Sequence, residues 1–365
     1  MNKLTKIGLS ALCGSLASIS AVNAGTLEVL GTAEATWTTK GSEITGNPLG
    51  MNSGLSFKGS GELDGGQTFS VLVAATDKHA YSSAGITLTT NNLGTFKISS
   101  AEGSGGIGGY DDNMPRAYEE VWDTGISTNV NLQKGVGSSS NINWTSPKFA
   151  GTKLHIAYAP DNDGTQNNNK GVSADASNAF GAGWDIVLDA GSENGGFNLF
   201  LGASETEQSD QKKSDAFLKN LGGDHQEGVV GLQVKIGPLA LGGQVSAERL
   251  RTQTAGATNY YGNTSWGAAF NINDDLSISY GQTQHVQVKN KKMGQGAVSL
   301  RKNINDVNLN EYTPKAWMKG TSVQAAWTVG GIGLKYAQSD YDNTAYGFDT
   351  KAPKESRIFS VSLAF

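Results

Sequence analysis

Residues 54–77 read GLSFKGSGELDGGQTFSVLVAATD, and their apolar side chains occupy every second position on both sides of a glycine-rich turn. The alternating apolar residues are Leu55 and Phe57 before the turn, and Phe69, Val71, Val73 and Ala75 after it. Strict alternation is typical of a strand with one apolar and one polar face, and Asp64-Gly65-Gly66 is a tight-turn sequence. The stretch therefore predicts a β-hairpin.

The same pattern recurs along the chain, for example in GITLTTNNLGTFKISS at residues 85–100. Seven hairpins are predicted, with turns at residues 64–66, 91–94, 146–151, 191–196, 237–238, 273–275 and 330–331. Two further strands stand outside them, at residues 27–37 and 357–365. The sequence thus predicts sixteen antiparallel strands.

The connections between hairpins are mostly longer and more polar than the turns within them. They cover residues 41–53, 103–136, 160–178, 205–226, 251–259, 290–319 and 341–354, and only the connection at 78–82 is short. Short turns at one edge and long loops at the other are typical of an outer-membrane barrel. We expect an all-β fold, a 16-stranded antiparallel transmembrane β-barrel.

The N-terminus predicts an export signal. Lys3 and Lys6 precede an apolar-to-small run, and the stretch AVNAG suits cleavage after Ala24, although a short N-terminal helix is the alternative. We expect residues 1–24 to be a signal peptide and residues 25–365 a single barrel domain. Cys13 lies within the signal, so the mature chain carries no cysteine and no disulfide.

Composition and hydropathy are compatible with this fold. No later apolar run reaches the length of about 18 residues that a transmembrane helix requires. The mean hydropathy of −0.33 would suit a soluble protein, but alternating polar residues give membrane barrels the same low value. A soluble β-sandwich or β-helix is the alternative fold. Strands of about ten residues and aromatic residues near strand ends favour the membrane barrel, the latter being Trp37, Trp144, Tyr158, Trp327, Tyr336 and Phe365.

The last strand closes the predicted barrel. In RIFSVSLAF, residues 357–365, the alternating apolar positions are Phe359, Val361, Leu363 and Phe365. Because an even number of strands brings the two ends of the sheet together, we expect this strand to pair with the first and leave no open edge. A terminal strand ending in Phe also resembles the signal by which outer-membrane proteins are recognised and inserted.

Four features of the sequence carry a resemblance to a known family: the export signal, the hairpin at 85–100, the Gly-rich acidic insert after it and the ending SRIFSVSLAF. In these features the sequence resembles the general porins of Gram-negative bacteria, most closely the alphaproteobacterial kind. The similarity in pattern spans the mature chain. The resemblance implies a homotrimer in the outer membrane that passes small polar solutes by passive diffusion. It also implies contacts with lipid and lipopolysaccharide, insertion by the barrel-assembly machinery, and a third loop folded into the lumen.

The third connection between hairpins, Gly103 to Val136, is therefore the candidate constriction loop. Its charged residues are Asp111, Asp112, Arg116, Glu119, Glu120 and Asp123. A solvated acidic loop outside the barrel is the alternative. The loop also carries Tyr110, Met114, Tyr118, Val121 and Trp122, which favour packing against another surface.

Alternation predicts which basic residues face the lumen, because a charge on the lipid face near mid-bilayer costs roughly 2–4 kcal/mol. The candidates are Lys58, Lys97, Lys153, Lys235 and Lys335. Opposed to the loop acids, they would produce a transverse field that disfavours apolar solutes. With 26 basic against 33 acidic residues after signal removal, we expect a mild cation preference.

A basic cluster in the seventh loop opposes that preference. It comprises Lys289, Lys291, Lys292, Arg301 and Lys302, which suit anions such as phosphate, pairing with lipopolysaccharide, or plain solvation. A substrate-selective channel, for phosphate or another small nutrient, and a non-channel barrel such as an adhesin are therefore the alternative functions.

Other chemistry is weakly supported. The parity of the strands places His155 and His285 toward the lumen, and His79 and His225 fall in predicted loops. No nucleophile or metal motif surrounds them, so we expect no enzyme activity and no cofactor. The stretch DNDGTQNNN at residues 161–169 offers oxygen ligands for calcium but lacks the closing Glu of an EF-hand loop. No motif indicates nucleic-acid binding.

Overall fold

A computed structural model of the protein describes residues 23–41, 46–76, 83–102, 106–137, 139–162, 180–192, 195–208, 223–251, 257–290, 315–346 and 353–364. The predicted signal peptide lies outside these residues except for its last two, since the first strand begins at Asn23. No helix among the described residues is long and apolar enough to cross a membrane.

Sixteen strands make up the fold, as predicted. The first eight are β1 (Asn23–Lys40), β2 (Leu49–Glu62), β3 (Thr68–Thr76), β4 (Ser83–Thr90), β5 (Gly94–Ser100), β6 (Asn141–Thr145), β7 (Thr152–Ala159) and β8 (Phe180–Gly191). The second eight are β9 (Phe197–Gln208), β10 (His225–Ile236), β11 (Leu239–Arg249), β12 (Thr258–Asn271), β13 (Leu276–Lys289), β14 (Lys315–Val329), β15 (Ile332–Asp342) and β16 (Pro353–Ala364). A short 3₁₀ helix, Ile107–Tyr110, follows β5.

Every strand pairs antiparallel with its neighbours in sequence, and β16 pairs with β1 to close the barrel. The closing register runs from Thr32 opposite Ala364 to Lys40 opposite Ser356. The described strands therefore form a sheet without an open edge, and the predicted pairing of the last strand with the first is confirmed. Phe365 lies outside the described residues, and the role of this strand in insertion stays a prediction.

Tight turns with glycine at left-handed positions lie at one edge of the barrel, where the connections are short. Gly330 and Gly331 have φ values of 57° and 85°, the left-handed pair that a two-residue turn needs to match the twist of its strands. Longer connections occupy the opposite edge, where the strands extend further than predicted. β2 begins at Leu49 rather than after Ser53, because Met51 and Leu49 continue the backbone pairing with Ala35 and Trp37.

The two faces of the wall differ as the alternation predicts. Large apolar side chains such as Phe57, Ile86 and Leu201 are exposed on the outer face. The opposite face is rich in Ser, Thr, Asn and Gln. Of the predicted interfacial aromatics, Trp37, Tyr158, Trp327 and Tyr336 are exposed on the outer face, and the Trp144 indole donates a hydrogen bond of 2.7 Å to the Leu93 carbonyl in a short turn. An outer apolar face of this kind meets lipid.

Apolar packing is concentrated where the 103–136 connection meets the wall. One cluster joins Ile107 and Tyr110 to Val187, Phe200 and Val229. A second joins Ile126 to wall and loop residues, namely Ala316, Met318, Tyr341 and Tyr346. The main clusters of buried apolar side chains therefore lie where this connection packs against the wall.

Candidate functional site

The connection between β5 and β6 packs against the polar face of the wall along most of its length. We name residues 106–137 the inner segment. Its contacts pass in order from β8 and β9 near Ile107 to β14 near Glu119 and to β16 near Thr124. Because these contacts all involve the polar face, the segment does not extend away from the barrel as a solvated loop.

Both ends of the inner segment meet at one buried carboxylate. Asp185 on β8 accepts the backbone N–H of Ile107 at 3.2 Å and that of Val136 at 3.0 Å, one on each oxygen. Close by, Glu227 on β10 accepts the N–H groups of Lys134 and Gly135 at 2.8 and 2.6 Å. Hydrogen bonds to charged groups are among the stronger ones in proteins, so these carboxylates fix where the segment leaves and rejoins the wall.

The middle of the segment is held by amides of the wall. Gln324 on β14 accepts the N–H groups of Tyr118 and Glu119 at 2.9 and 3.1 Å and donates to the Glu119 carbonyl at 2.6 Å. On β11, the Gln244 amide donates to the Asp111 carbonyl at 2.9 Å. These bonds satisfy part of the backbone of an irregular segment with which none of the described strands pairs.

Glycines on four adjacent strands form the groove in which the middle of the segment lies. A Cβ on Gly242 (β11) would stand 2.6 Å from the Pro115 ring, and one on Gly267 (β12) would stand 2.5 Å from the Pro115 carbonyl oxygen. A Cβ on Gly281 (β13) would lie 2.6 Å from Val121, and one on Gly320 (β14) would lie 3.2 Å from it. The absence of side chains at these positions lets the backbone approach the wall closely.

The acidic residues of the segment form a compact charged group. Arg116 lies 3.2 Å from the Asp112 carboxylate and also contacts Glu120. Asp111 and Glu119 are partly exposed beside this group, and Asp123 is exposed. The structure therefore brings together Asp111, Asp112, Arg116, Glu119 and Glu120, with Asp123 further along.

Burial changes the acidity of this group. Desolvation, with the Asp112 charge beside it, raises the pKa of Asp111 to about 6. Desolvation also raises the pKa of Glu120 to about 8, helped by a hydrogen bond to Asp112 and opposed by Arg116. Desolvation raises the pKa of Glu119 as well. These carboxyls therefore hold protons in a pH range where exposed acids are ionised.

One predicted lysine contacts the segment. The Lys335 ammonium on β15 lies 3.4 Å from the Glu34 carboxylate on β1 and 5.0 Å from the centre of the Tyr118 ring. Glu34 also accepts the Tyr118 hydroxyl at 3.1 Å and the Ser360 hydroxyl. This network joins the segment to the seam where β1 meets β16.

The other four predicted lysines lie on the polar face without joining that network. Lys97 on β5 forms an ion pair of 3.2 Å with Glu102, and Lys153 on β7 stands opposite Asp189 in register. Lys58 on β2 is partly exposed among polar side chains, and Lys235 is exposed near the short-turn edge. In the closed order of sixteen strands, β5 lies across the barrel from β12 and β13, where the middle of the segment is seated.

The histidines are not equivalent. His285 on β13 is buried, with Asn263 and Thr283 at 2.6 and 2.5 Å, and its ring packs edge-on against Trp122. His155 on β7 hydrogen-bonds Thr145 at 2.9 Å. The expectation that His225 lies in a loop was wrong, because it is the first residue of β10. Its polar neighbourhood, HQEG, gives no alternation from which the start of a strand could be read.

Several predicted residues lie outside the described part of the chain. They are Phe365, His79, residues 163–169 of the calcium candidate, and Lys291, Lys292, Arg301 and Lys302 of the basic cluster. Lys289 is the last residue of β13. The residues that fasten the segment, Asp185, Glu227 and Gln324, were not predicted, because polar residues on the lumen face of a strand all give the same sequence signal.

Comparison with known proteins agrees with this geometry. The family model for Gram-negative porins matches residues 8–299. The chain belongs to that family. It is an outer-membrane β-barrel whose water-filled channel lets small hydrophilic solutes and ions diffuse passively. No curated protein matches the sequence.

Solved structures show the same fold at low sequence identity. Salmonella typhi OmpF, solved with daunomycin, is 13% identical with a TM-score of 0.63, over 94% of this porin and 98% of that chain. The anion-selective porin of Comamonas acidovorans is 11% identical with a TM-score of 0.60, over 93% and 100%. The trimer form of Vibrio cholerae OmpT is 9% identical with a TM-score of 0.60, over 94% and 100%.

Proposed function

We propose that the inner segment constricts the lumen of this porin and gives the channel a mild preference for cations. The observation that carries the proposal is that one segment seated against the wall contains five acidic residues and, as basic residues, only Arg116 and Lys134. A narrow passage lined by fixed negative charge raises the local concentration of cations.

The lysines across the barrel complete the proposed constriction. Lys58 and Lys97 lie on strands distant from the seat of the segment, so acids and bases face each other across the lumen. Such a transverse field orients water and disfavours apolar solutes. Lys97 and Lys335 are paired with Glu102 and Glu34, and the segment carries five acids against two basic residues, so the acids outweigh the bases once the segment's carboxyls are ionised.

The experiment is conductance in planar bilayers with the reversal potential measured under a salt gradient. Replacing Asp111, Asp112, Glu119 and Glu120 by their amides should weaken the cation bias. The matched control replaces Asp274 and Asp275 by Asn, because both are exposed in the short turn between β12 and β13. A cation bias that the control substitutions weaken and the four loop substitutions leave unchanged would contradict the proposal. Saturable block by one solute would instead indicate a substrate-selective channel.

We further propose a homotrimer. Strands β3 to β7 are five to nine residues long, whereas the others have 11 to 18, so one side of the wall is low and presents an apolar outer face. Partner subunits would cover that face, and the similar Vibrio cholerae protein was solved in a trimer form. Conductance steps that close in threes, and a trimer mass in detergent, are the expected results.

We also propose that the protein is not an enzyme. Two buried polar groups that could have served catalysis, His285 and Asp185, are instead hydrogen-bonded within the wall and to the segment. Lipid and lipopolysaccharide contacts on the outer face and insertion by the barrel-assembly machinery complete the proposal. An assay panel for hydrolase activity on folded protein should show no turnover.

A further inference from the structure

Two glutamates face each other across β10 and β11. Glu227 and Glu248 are direct register partners, and they are only 7% and 5% exposed. Like charges directly opposite on antiparallel strands destabilise a sheet, and burial increases the cost of both. A positive charge between the two carboxylates, or a proton shared by them, would relieve this cost.

His225 completes the cluster. It precedes Glu227 by two residues and so projects to the same face of β10. Its Nε2 lies 2.9 Å from Glu248 Oε1 and 3.9 Å from Glu227 Oε1, and one ligand atom from each of the three residues lies within 4.8 Å of the others. Three potential metal ligands thus converge on one point.

The three side chains are held in place by their other contacts. Glu227 is fixed by the backbone N–H groups of Lys134 and Gly135, and Glu248 accepts a hydrogen bond from the Asn131 amide. The His225 ring packs 6.0 Å from the Phe180 ring. Outer contacts that orient the ligands are a common property of protein metal sites.

We propose that His225, Glu227 and Glu248 bind a divalent transition-metal ion, for which Zn²⁺ is the probe. One imidazole and two carboxylates suit zinc, which takes His and Glu ligands at about 2.0–2.2 Å, whereas calcium requires six to eight oxygens. A divalent ion balances both carboxylates, while a protonated His225 balances only one of them.

Metal binding at this site would affect the channel through the inner segment. Asn131, Lys134 and Gly135 belong to the end of the inner segment. Asn131 donates to Glu248, and the other two donate to Glu227. A bound ion would therefore fasten the segment to β10 and β11. This step rests on the proposed role of the segment, but the metal site itself does not.

The test is zinc titration by calorimetry on the untagged, folded, full-length porin in detergent. One ion per chain should bind. The variants His225→Gln and Glu248→Gln should each weaken binding by about tenfold or more. His155→Gln, which changes a histidine with no buried glutamate pair, should leave it unchanged. X-ray absorption at the zinc edge should show a shell of nitrogen and oxygen only.

Two results would overturn the metal site. The first is no binding to folded wild type at millimolar zinc, which would make the cluster an ion-paired imidazolium. The second is binding that His225→Gln and Glu248→Gln, both checked for a folded barrel by circular dichroism, leave intact. Metal binding with an unchanged reversal potential would leave the site standing and contradict only its coupling to the segment.

Discussion

Asp185 accepts the backbone N–H of Val136 at 3.0 Å on one oxygen. Its other oxygen accepts the N–H of Ile107, 29 positions earlier in the chain. The two ends of the inner segment are therefore joined through a single side chain of β8, and the segment behaves as a closed loop fixed to the wall at its base.

Asp185→Asn should loosen both ends of the segment while leaving the barrel closed. The amide keeps one acceptor oxygen and places an N–H₂ group against a backbone N–H, and an unsatisfied buried donor costs about 1–3 kcal/mol. Hydrogen exchange at Ile107 and Val136 should speed up, and the open-channel current should become noisier. Asp340→Asn, on an exposed position of β15, is the control and should change neither.

Gly267→Ala should displace the segment from the wall. The new methyl group would stand 2.5 Å from a backbone carbonyl, which cannot rotate away. We expect a loss of about 1–3 kcal/mol in stability, as for other overpacked positions, and a lower single-channel conductance because the segment moves toward the lumen. Gly243→Ala is the matched control, since its nearest contact would be 4.0 Å away. Equal conductance for both variants would contradict the glycine groove.

The sequence predicts the barrel of this protein but not the contacts that hold the inner segment. Phe57 and Lys58 show why the barrel was predictable: alternation marks the lipid and lumen faces residue by residue, and the turns count the strands. Alternation within a strand does not show which distant elements contact each other, so the hydrogen bond between Asp185 and Val136 could not be deduced. The turn at 237–238 sets the register that places Glu227 opposite Glu248, but the sequence does not show that β10 begins as early as His225.

Cation preference should rise with pH. Since burial raises the pKa of Asp111 to about 6 and that of Glu120 to about 8, the segment gains negative charge as these carboxyls lose their protons. The effect of pH on stability has the opposite sign. A group whose pKa is higher in the folded than in the unfolded protein stabilises the fold at low pH, and this contribution is lost as the pH rises through the folded-state pKa. Reversal potentials between about pH 5 and about pH 9 should shift toward the cation limit.

The double variant Asp111→Asn, Glu120→Gln provides the comparison for that profile. It removes two groups of the segment whose pKa values fall within the range, so much of the pH dependence should disappear. A profile as steep as that of the wild type would assign the effect to other groups.

Val361→Lys should destabilise the barrel at its closing seam. Val361 lies between Ala35 and Leu334 on the outer face, and a lysine on the lipid face costs about 2–4 kcal/mol near the bilayer midplane. Urea unfolding in lipid vesicles measures the difference. Ser362→Lys places the same charge one residue further on, on the lumen face, and should cost far less.

The seating of the inner segment also sets an order of events in folding. Tyr118 contacts Gln324, 206 positions away, and Thr124 contacts Ser356 near the other end of the chain. The Tyr118 hydroxyl meets Glu34 on the first strand. The full set of partners is complete only when the first and last strands have met. We therefore expect the channel to reach its final width only after the barrel has closed.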